Sequence, residues 1–518
     1  MIGMYDGERY YHWKGADSDI DAFLNFVLQK RYSYWRFFGH FAGRFDLSFI
    51  YDHIREHRPD LSVKFFCSGS CVVQMTIRRS KNCVVQFCDS YRLLPESQRN
   101  LCEAFGVEHQ KGNYDFTKPY CREMVLYNES DCVGLYEVLT SFFEQSGIRS
   151  QTFATHALRI FRRDYLTRTL YKPNPTVQEF TRKSYHGGRT EVFKRCGDVS
   201  VFDVNSMYPF CMLEPVPVEY KGQSTHLSDN PDYFGFVEAD VTWPDVYIPA
   251  LPVRLEKLYF PSGSFTGIWT NIELIHAMTL GLKIGRIRQG YWFKTDNIFE
   301  GYVRKLYEQK KNSSGALRMI AKHLLNSLYG KFGQHPEKSV FCTEIDAPEG
   351  ALPVLTPDGL PSGYAQYERT SQAAYLLPHI ASSITSRARC YLSSSLNENS
   401  FYTDTDSVFT SEDMKTGKEL GDWGLIGNGV GEFYQAKLYR FGGRWKAKGL
   451  NLDEDINSFV NGGTNTVTRH RSIKEAMRSG LPAKATLTIT KRMANSRPKR
   501  AWDGENETRP WTYGELIK

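Results

Sequence analysis

A multidomain protein mixing α/β and α+β regions is what the sequence predicts, on three observations. The chain has 518 residues, far more than one hydrophobic core serves. Its apolar content of 41%, with 14% aromatics, is that of a globular protein, and no long span has a disordered composition. Stretches of alternating polarity, such as "VSVFDV", stand beside stretches of helical period, such as "ALRMIAKHLLNSLYG".

The opening "MIGMYDGERYYHW" has no apolar signal core, and no stretch resembles a transmembrane helix, so an intracellular protein is expected. Asp6-Gly7, between "IGMY" and "RYYHW", reads as a hairpin turn. The 11 cysteines are scattered without a CxxC pair and read as reduced thiols. The net charge of +7 suits a polyanionic partner without demonstrating one. Basic residues cluster in "RRSKNC", "KLYRFGGRWKAKG" and "KRMANSRPKR", strips that suit a phosphate backbone.

Three segments carry chemistry. In "FYTDTDSVF", Asp404 and Asp406 are two residues apart in a strand-forming run, which predicts that they share a face. Like charges so held repel and lose hydration, and a divalent cation with oxygen ligands is the usual remedy. The plainer reading is an Asp-rich turn. In "VSVFDVNSMYPF", Asp203 ends a strand, Asn205-Ser206 break it, and Pro209 suits a first helical turn whose amides open toward phosphate. In "KKNSSGALRMIAKHLLNSLYGKFG", Leu317, Ala321, Leu324 and Leu328 form an apolar stripe. Arg318, Lys322, Asn326 and Tyr329 share the other face, able to grip a triphosphate and lie over a base. Gly330 would let a base pair approach the backbone.

"DVNSMYP", "KHLLNSLYG" and "YTDTDS" resemble motifs A, B and C of family B DNA polymerases, in that order. "YHGGRTEVF", with Tyr185, Gly187 and Gly188, resembles the YxGG motif, and "KLY" and "KAKG" resemble later palm–thumb motifs. The set is similar to the protein-primed branch of phages, adenoviruses and linear plasmids. The resemblance implies an RNase H-like exonuclease domain joined to a right-hand polymerase of palm, fingers and thumb. It implies catalysis by Asp203, Asp404 and Asp406, with two Mg²⁺ ions (or Mn²⁺) held by Asp203, Asp406 and the Val204 carbonyl. Tyr208, Lys310, Arg318, Lys322, Asn326 and Tyr329 would bind the nucleotide. Tyr185, Gly187, Gly188, Lys437, Tyr439, Lys446 and Lys448 would bind DNA.

The first 150 residues resemble the family's 3′–5′ exonuclease imperfectly. "GHFAGRFDLSFI" resembles the second exonuclease motif, with Asp46 as its acid and Phe41 where the family carries Asn. "YNESD" resembles the third, with Tyr127 and Asp131 on an apolar helical stripe beside Leu135 and Val138. The family's opening Asp-x-Glu is expected upstream of "IGMYDGERYYHW", where this chain begins, and Asp6-Gly7-Glu8 lies too close to Asp46 to replace it. Weak proofreading is expected, with a start further upstream as the alternative.

The expected divisions are 1–150 exonuclease-like, 151–184 connector, 185–213 and 375–450 palm, 299–333 fingers and 451–518 thumb, with insertions at 214–298 and 334–374. By position, these insertions correspond to regions that in the branch contact a terminal protein and enclose the template. The expected partners are DNA template and primer, dNTPs, a terminal protein and a single-stranded-DNA-binding protein, for a monomer with no membrane association. The expected place is the cytoplasm of an infected or plasmid-bearing host, or an organelle. The rivals are a DNA-primed family B polymerase and a non-catalytic DNA-binding remnant.

Overall fold

The computed structural model describes residues 1–115, 117–493 and 497–518, so the middle of "KRMANSRPKR" lies outside the described residues. Two seven-stranded sheets organise the chain. The central one runs, in spatial order, Arg444–Ala447, Leu438–Phe441, Trp423–Gln435, Cys196–Val204, Ser407–Thr410, Ser400–Asp404 and Thr190–Val192. Every pairing in it is antiparallel. Alternation explains its double-sided burial: Val199, Val201 and Phe409 face one apolar cluster, while Phe202, Val204 and Val408 face another. The second cluster is covered by the helix Pro378–Ser393, through Ile380, Ala381, Ile384 and Ala388, and by the helix Gly315–Phe332.

The Gly315–Phe332 helix packs antiparallel-hairpin fashion on Glu300–Asn312 and buries Ala321, Leu324, Leu325 and Leu328. Leu317, expected on that stripe, is exposed instead. It sits in the first turn beside the equally exposed Ser314 and Gly315. Arg318, Lys322 and Asn326 do lie exposed on the opposite side.

The second large sheet joins distant parts of the chain. Ser62–Ser68, Cys71–Ser80, Cys83–Asp89 and Arg36–Gly39 come from the N-terminal region, and only Arg36–Gly39 with Cys83–Asp89 pairs parallel. Glu337–Thr343, Pro361–Thr370 and Leu352–Leu355, from the 334–374 insertion, extend it through the pairs Val340↔Phe66, Phe341↔Phe65 and Cys342↔Lys64. The helix Ile473–Ser479 packs on those added strands, its Ile473, Ala476 and Met477 sharing a core with Phe341, Val354 and Tyr364. Asp52 completes the junction by accepting the amides of Ala483 (2.7 Å) and Lys484 (2.9 Å). N-terminal region, insertion and C-terminal region therefore meet away from the central sheet.

The 214–298 insertion is a four-stranded antiparallel sheet with its own core around Val237, Trp243, Leu251 and Trp269. The predicted N-terminal turn forms between Ile2–Tyr5 and Tyr10–Trp13, with Asp6 accepting the amides of Glu8 and Arg9. All eleven cysteines are free. Among the described residues no helix is long and apolar enough to cross a membrane.

Candidate active site

The site is built by register. Ser407 stands opposite Asp203 and Val408 opposite Phe202, while the Val204 amide donates to the Asp406 carbonyl at 2.9 Å. A strand end and a hairpin turn from far along the chain thus bring Asp203 and Asp406 together. Burial raises the Asp203 carboxyl above its ordinary value, against the pull of Lys322 and Lys310. Burial and the Asp203 charge push Asp406 up to about 6.

Asp404 and Asp406 do not share a strand face, and here the sequence expectation is corrected. Asp404 ends one strand and Ser407 begins the next, so Asp406 lies in a two-residue turn. Thr405 between them takes a left-handed conformation (φ 67°), and the two carboxylates part. Asp404 is held by Lys437 Nζ at 2.7 and 2.8 Å and accepts the Thr190 hydroxyl at 3.1 Å. Gly188 lies against this turn. A Cβ there would stand 2.7 Å from the Thr405 methyl, so the second glycine of "YHGG" permits a close approach.

Cations and aromatics ring the pair. Lys310 Nζ donates to Ser206 Oγ at 2.8 Å, and its own charge is disfavoured by burial and by Arg318 and Lys322. Arg318 Nη1 donates to the Lys310 carbonyl at 3.1 Å, joining the ends of the two hairpin helices. Tyr208 and Tyr329 stack on each other, ring centres 4.6 Å apart and 20° from parallel, with burial pushing the Tyr208 phenol up to about 12. Asn326 stands exposed on the Lys322 side, and beside Gly330 the space is open. The Tyr185 ring packs against Gly333, and Gly187 faces open space.

On the far flank, Tyr439 packs on Tyr402 and pairs with Lys446 across the strands. Lys437 and Lys448 line a cavity of about 320 Å³ together with Lys491 and Arg492. Sequence reasoning named neither of the last two individually, although the basic cluster "KRMANSRPKR" was the signal for them.

The N-terminal acids form a second, looser group. Asp46 opens the helix Asp46–His57, surface-exposed at its edge, with its carboxyl raised by the surrounding protein and by Asp89. Asp89 is buried, raised by burial, and accepts the Tyr91 amide; the stretch "DSYRLLP" was its signal, although Asp89 was not singled out. Asp131 is gripped by Lys111 Nζ at 2.6 Å, and the same lysine lies over the Tyr127 ring. Asp131 and Asp46 both act on the half-buried thiol of Cys132, which puts the two acids in one neighbourhood. Phe41 is left-handed (φ 63°), a conformation Asn tolerates well, and stacks on Tyr91 at 3.9 Å.

A family model described as DNA polymerase type B, organellar and viral, matches residues 30–136 and 118–352. A probable DNA polymerase of Podospora anserina is 28% identical over 71% of this chain and 39% of its own length. One of Neurospora intermedia is 30% identical over 64% of this chain and 39% of its own. The DNA-directed DNA polymerase of Enterobacteria phage PRD1 is 26% identical over 82% of this chain and 76% of its own. The chain thus spans about two fifths of the length of the fungal relatives it matches. The structure of Phi29 DNA polymerase complexed with primer-template DNA and incoming nucleotide superposes with a TM-score of 0.71 at 18% identity, covering 93% of each chain. The likeness is one of fold. On the family match, which covers more than half of its residues, the chain belongs to the organellar and viral type B DNA polymerases.

Proposed function

We propose that the chain is a DNA-directed DNA polymerase that adds deoxynucleotides to a 3′-hydroxyl and starts on a hydroxyl of a terminal protein. The observation that carries this reading is the pairing of Asp203 with Asp406 under the electrostatic reach of Lys310 and Lys322. Two half-buried carboxyls, both raised by burial and Asp406 further by the Asp203 charge, with no counter-cation in ion-pair contact among the described residues, fit divalent ions with a preference for oxygen ligands.

Asp203, Asp406 and the Val204 carbonyl would hold two Mg²⁺ ions, or Mn²⁺. When bound, the ions would acidify the primer hydroxyl and offset charge on the departing pyrophosphate. Asp404, already neutralised by Lys437, would hold the turn rather than supply a free ligand. Lys310 and Lys322 orient the triphosphate as point charges, with Arg318 bracing the fingers and Asn326 beside them. Tyr208 lies under the sugar and excludes a 2′-hydroxyl, and Tyr329 supports the nascent pair. Lys437, Tyr439, Lys446 and Lys448 hold the primer strand, and Tyr185, Gly187 and Gly188 guide the template.

Proofreading is weak in this reading, because Asp131 is neutralised by Lys111 and Asp6 is spent on its own turn. The two insertions would meet the terminal protein and enclose the template. A single-stranded-DNA-binding protein would serve the displaced strand, and the work would take place in a host cytoplasm or organelle.

Extension of a primed template, with matched and mismatched 3′ ends, tests both sites. Extension of the matched end with slow removal of the mismatch is expected. No extension would leave a DNA-binding remnant. Labelling of a terminal protein with a deoxynucleotide separates protein priming from DNA priming.

A further inference from the structure

Just beyond the "YHGG" stretch lies a buried charge cluster that the proposed chemistry does not use. Arg189 and Glu191 are 2% and 1% exposed, and Arg500, also 2% exposed, reaches them from the C-terminal region. Arg189 Nε donates to Glu191 Oε2 at 2.8 Å and Nη1 to the Pro249 carbonyl at 2.8 Å. Arg500 Nη1 stands 4.0 Å from the same Glu191 oxygen. Arg500 is fixed by donation to Thr508 Oγ1 at 2.9 Å and to the Tyr247 carbonyl at 2.8 Å. Two guanidiniums share one carboxylate, and Glu191 Oε1 and Arg500 Nη1 find no hydrogen bond. Such a cluster is a poor source of stability, since apolar residues of similar volume often do as well.

Its value lies in what it touches. The Arg189 carbonyl accepts the Thr405 amide at 2.6 Å, and Thr405 is the left-handed residue between Asp404 and Asp406. A β-branched residue is strained in that conformation and persists only where its surroundings hold it. Register adds to the grip: Thr190 stands opposite Asp404, and Glu191 opposite Thr403. The hairpin Ala501–Asp503 with Glu507–Arg509 braces the other side, Thr508 donating to the Val192 carbonyl at 2.8 Å.

We propose that Glu191 and Arg500 are positioning residues for polymerisation: the buried Arg189–Glu191–Arg500 unit sets the Arg189 carbonyl, and through it the Thr405 turn that presents Asp406 to Asp203. The proposal rests on the polymerase reading, and it makes the C-terminal segment part of the site.

The test uses the full chain with Glu191→Gln, Arg500→Lys and the paired change Glu191→Leu with Arg500→Met. Mn²⁺ binding is read by electron paramagnetic resonance without turnover, alongside single-nucleotide incorporation, primer-template affinity and melting temperature. Folded Glu191→Gln is expected to bind Mn²⁺ about tenfold more weakly and to incorporate about tenfold more slowly, at unchanged DNA affinity. Arg500→Lys, which keeps the charge without the planar fork, should lie between it and wild type. Arg500→Lys guards against misfolding, because it keeps the charge balance of the buried unit, whereas the paired change keeps bulk but leaves the Arg189 guanidinium without a carboxylate. Where the paired variant folds, it should show the same loss of metal affinity. Wild-type Mn²⁺ affinity in the folded variants, with only a lower melting temperature, would overturn the proposal. A wild-type chain that binds Mn²⁺ through Asp406 yet never extends a primer would instead count against the polymerase reading, so the two fail separately.

Discussion

Lys437 holds Asp404 through both carboxylate oxygens, whereas Asp406, two residues on, has no lysine or arginine in ion-pair contact among the described residues. The two aspartates of one turn are thus electrostatically different. Asp404 is neutralised by Lys437, whereas Asp406 feels only the more distant Lys322 and the like charges of Asp203 and Asp404.

Removing Lys437 should therefore do two things at once. Lys437→Met is expected to weaken primer-end binding and also to free Asp404, adding repulsion next to Asp406. In a double-mutant cycle with Asp404→Asn, the incorporation rates should be non-additive by about 1–2 kcal/mol. Strict additivity would mean that the Lys437–Asp404 contact does not matter to turnover.

The raised Asp406 carboxyl sets a pH dependence with a definite sign. A carboxyl at about 6 in the folded chain binds its proton more tightly than in the unfolded chain. The stability it contributes is complete below the unfolded value and is lost as pH rises through the folded one. In metal-free buffer Asp406→Asn should therefore stabilise the protein near pH 7.5 by on the order of 2 kcal/mol and hardly at all near pH 4. Thermal melts with a chelator at both pH values check this. Divalent ions should reverse the order near neutrality by stabilising wild type more.

The Tyr208–Tyr329 stack joins the helix Met207–Cys211 to the helix Gly315–Phe332. Tyr208→Val is expected to admit ribonucleotides, narrowing the deoxy-to-ribo preference in incorporation rate by about tenfold or more. An unchanged preference would remove Tyr208 from sugar selection.

Asp52, in the N-terminal region, accepts two backbone amides of the C-terminal region, those of Ala483 and Lys484. Asp52→Ala leaves those donors unsatisfied and should loosen the junction by about 1–3 kcal/mol. Product length under single-binding conditions should shorten while the first incorporation stays at its wild-type rate. Unchanged length would sever this junction from processivity.

Much of the central sheet and the helical hairpin beside it was legible because their signals are local. The strand ending at Asp203, the break at Asn205-Ser206 and the exposed basic face of the 315–332 helix all follow from short-range periodicity and turn chemistry. The turn at Thr405 was misread for a physical reason. Period-two alternation assumes extended backbone, and a threonine gives no warning of a left-handed residue. The pairing of Glu337–Thr343 with Ser62–Ser68 was illegible, since nothing within either strand specifies so distant a partner. For the same reason Asp89, Lys491 and Arg500 emerged only once the chain was folded. The same pairing makes deletion of the second insertion a poor test of its role. Its strands belong to the N-terminal sheet, so deleting them would uncover Phe65, and the Asp52 variant is the cleaner probe.

Incorporation of a single nucleotide on a primed template by wild type and Asp406→Asn, with DNA affinity measured in parallel, tests the central claim most directly. The account predicts that the variant binds the template with near wild-type affinity and incorporates nothing measurable. Near-normal incorporation by a clean preparation of the variant would contradict it.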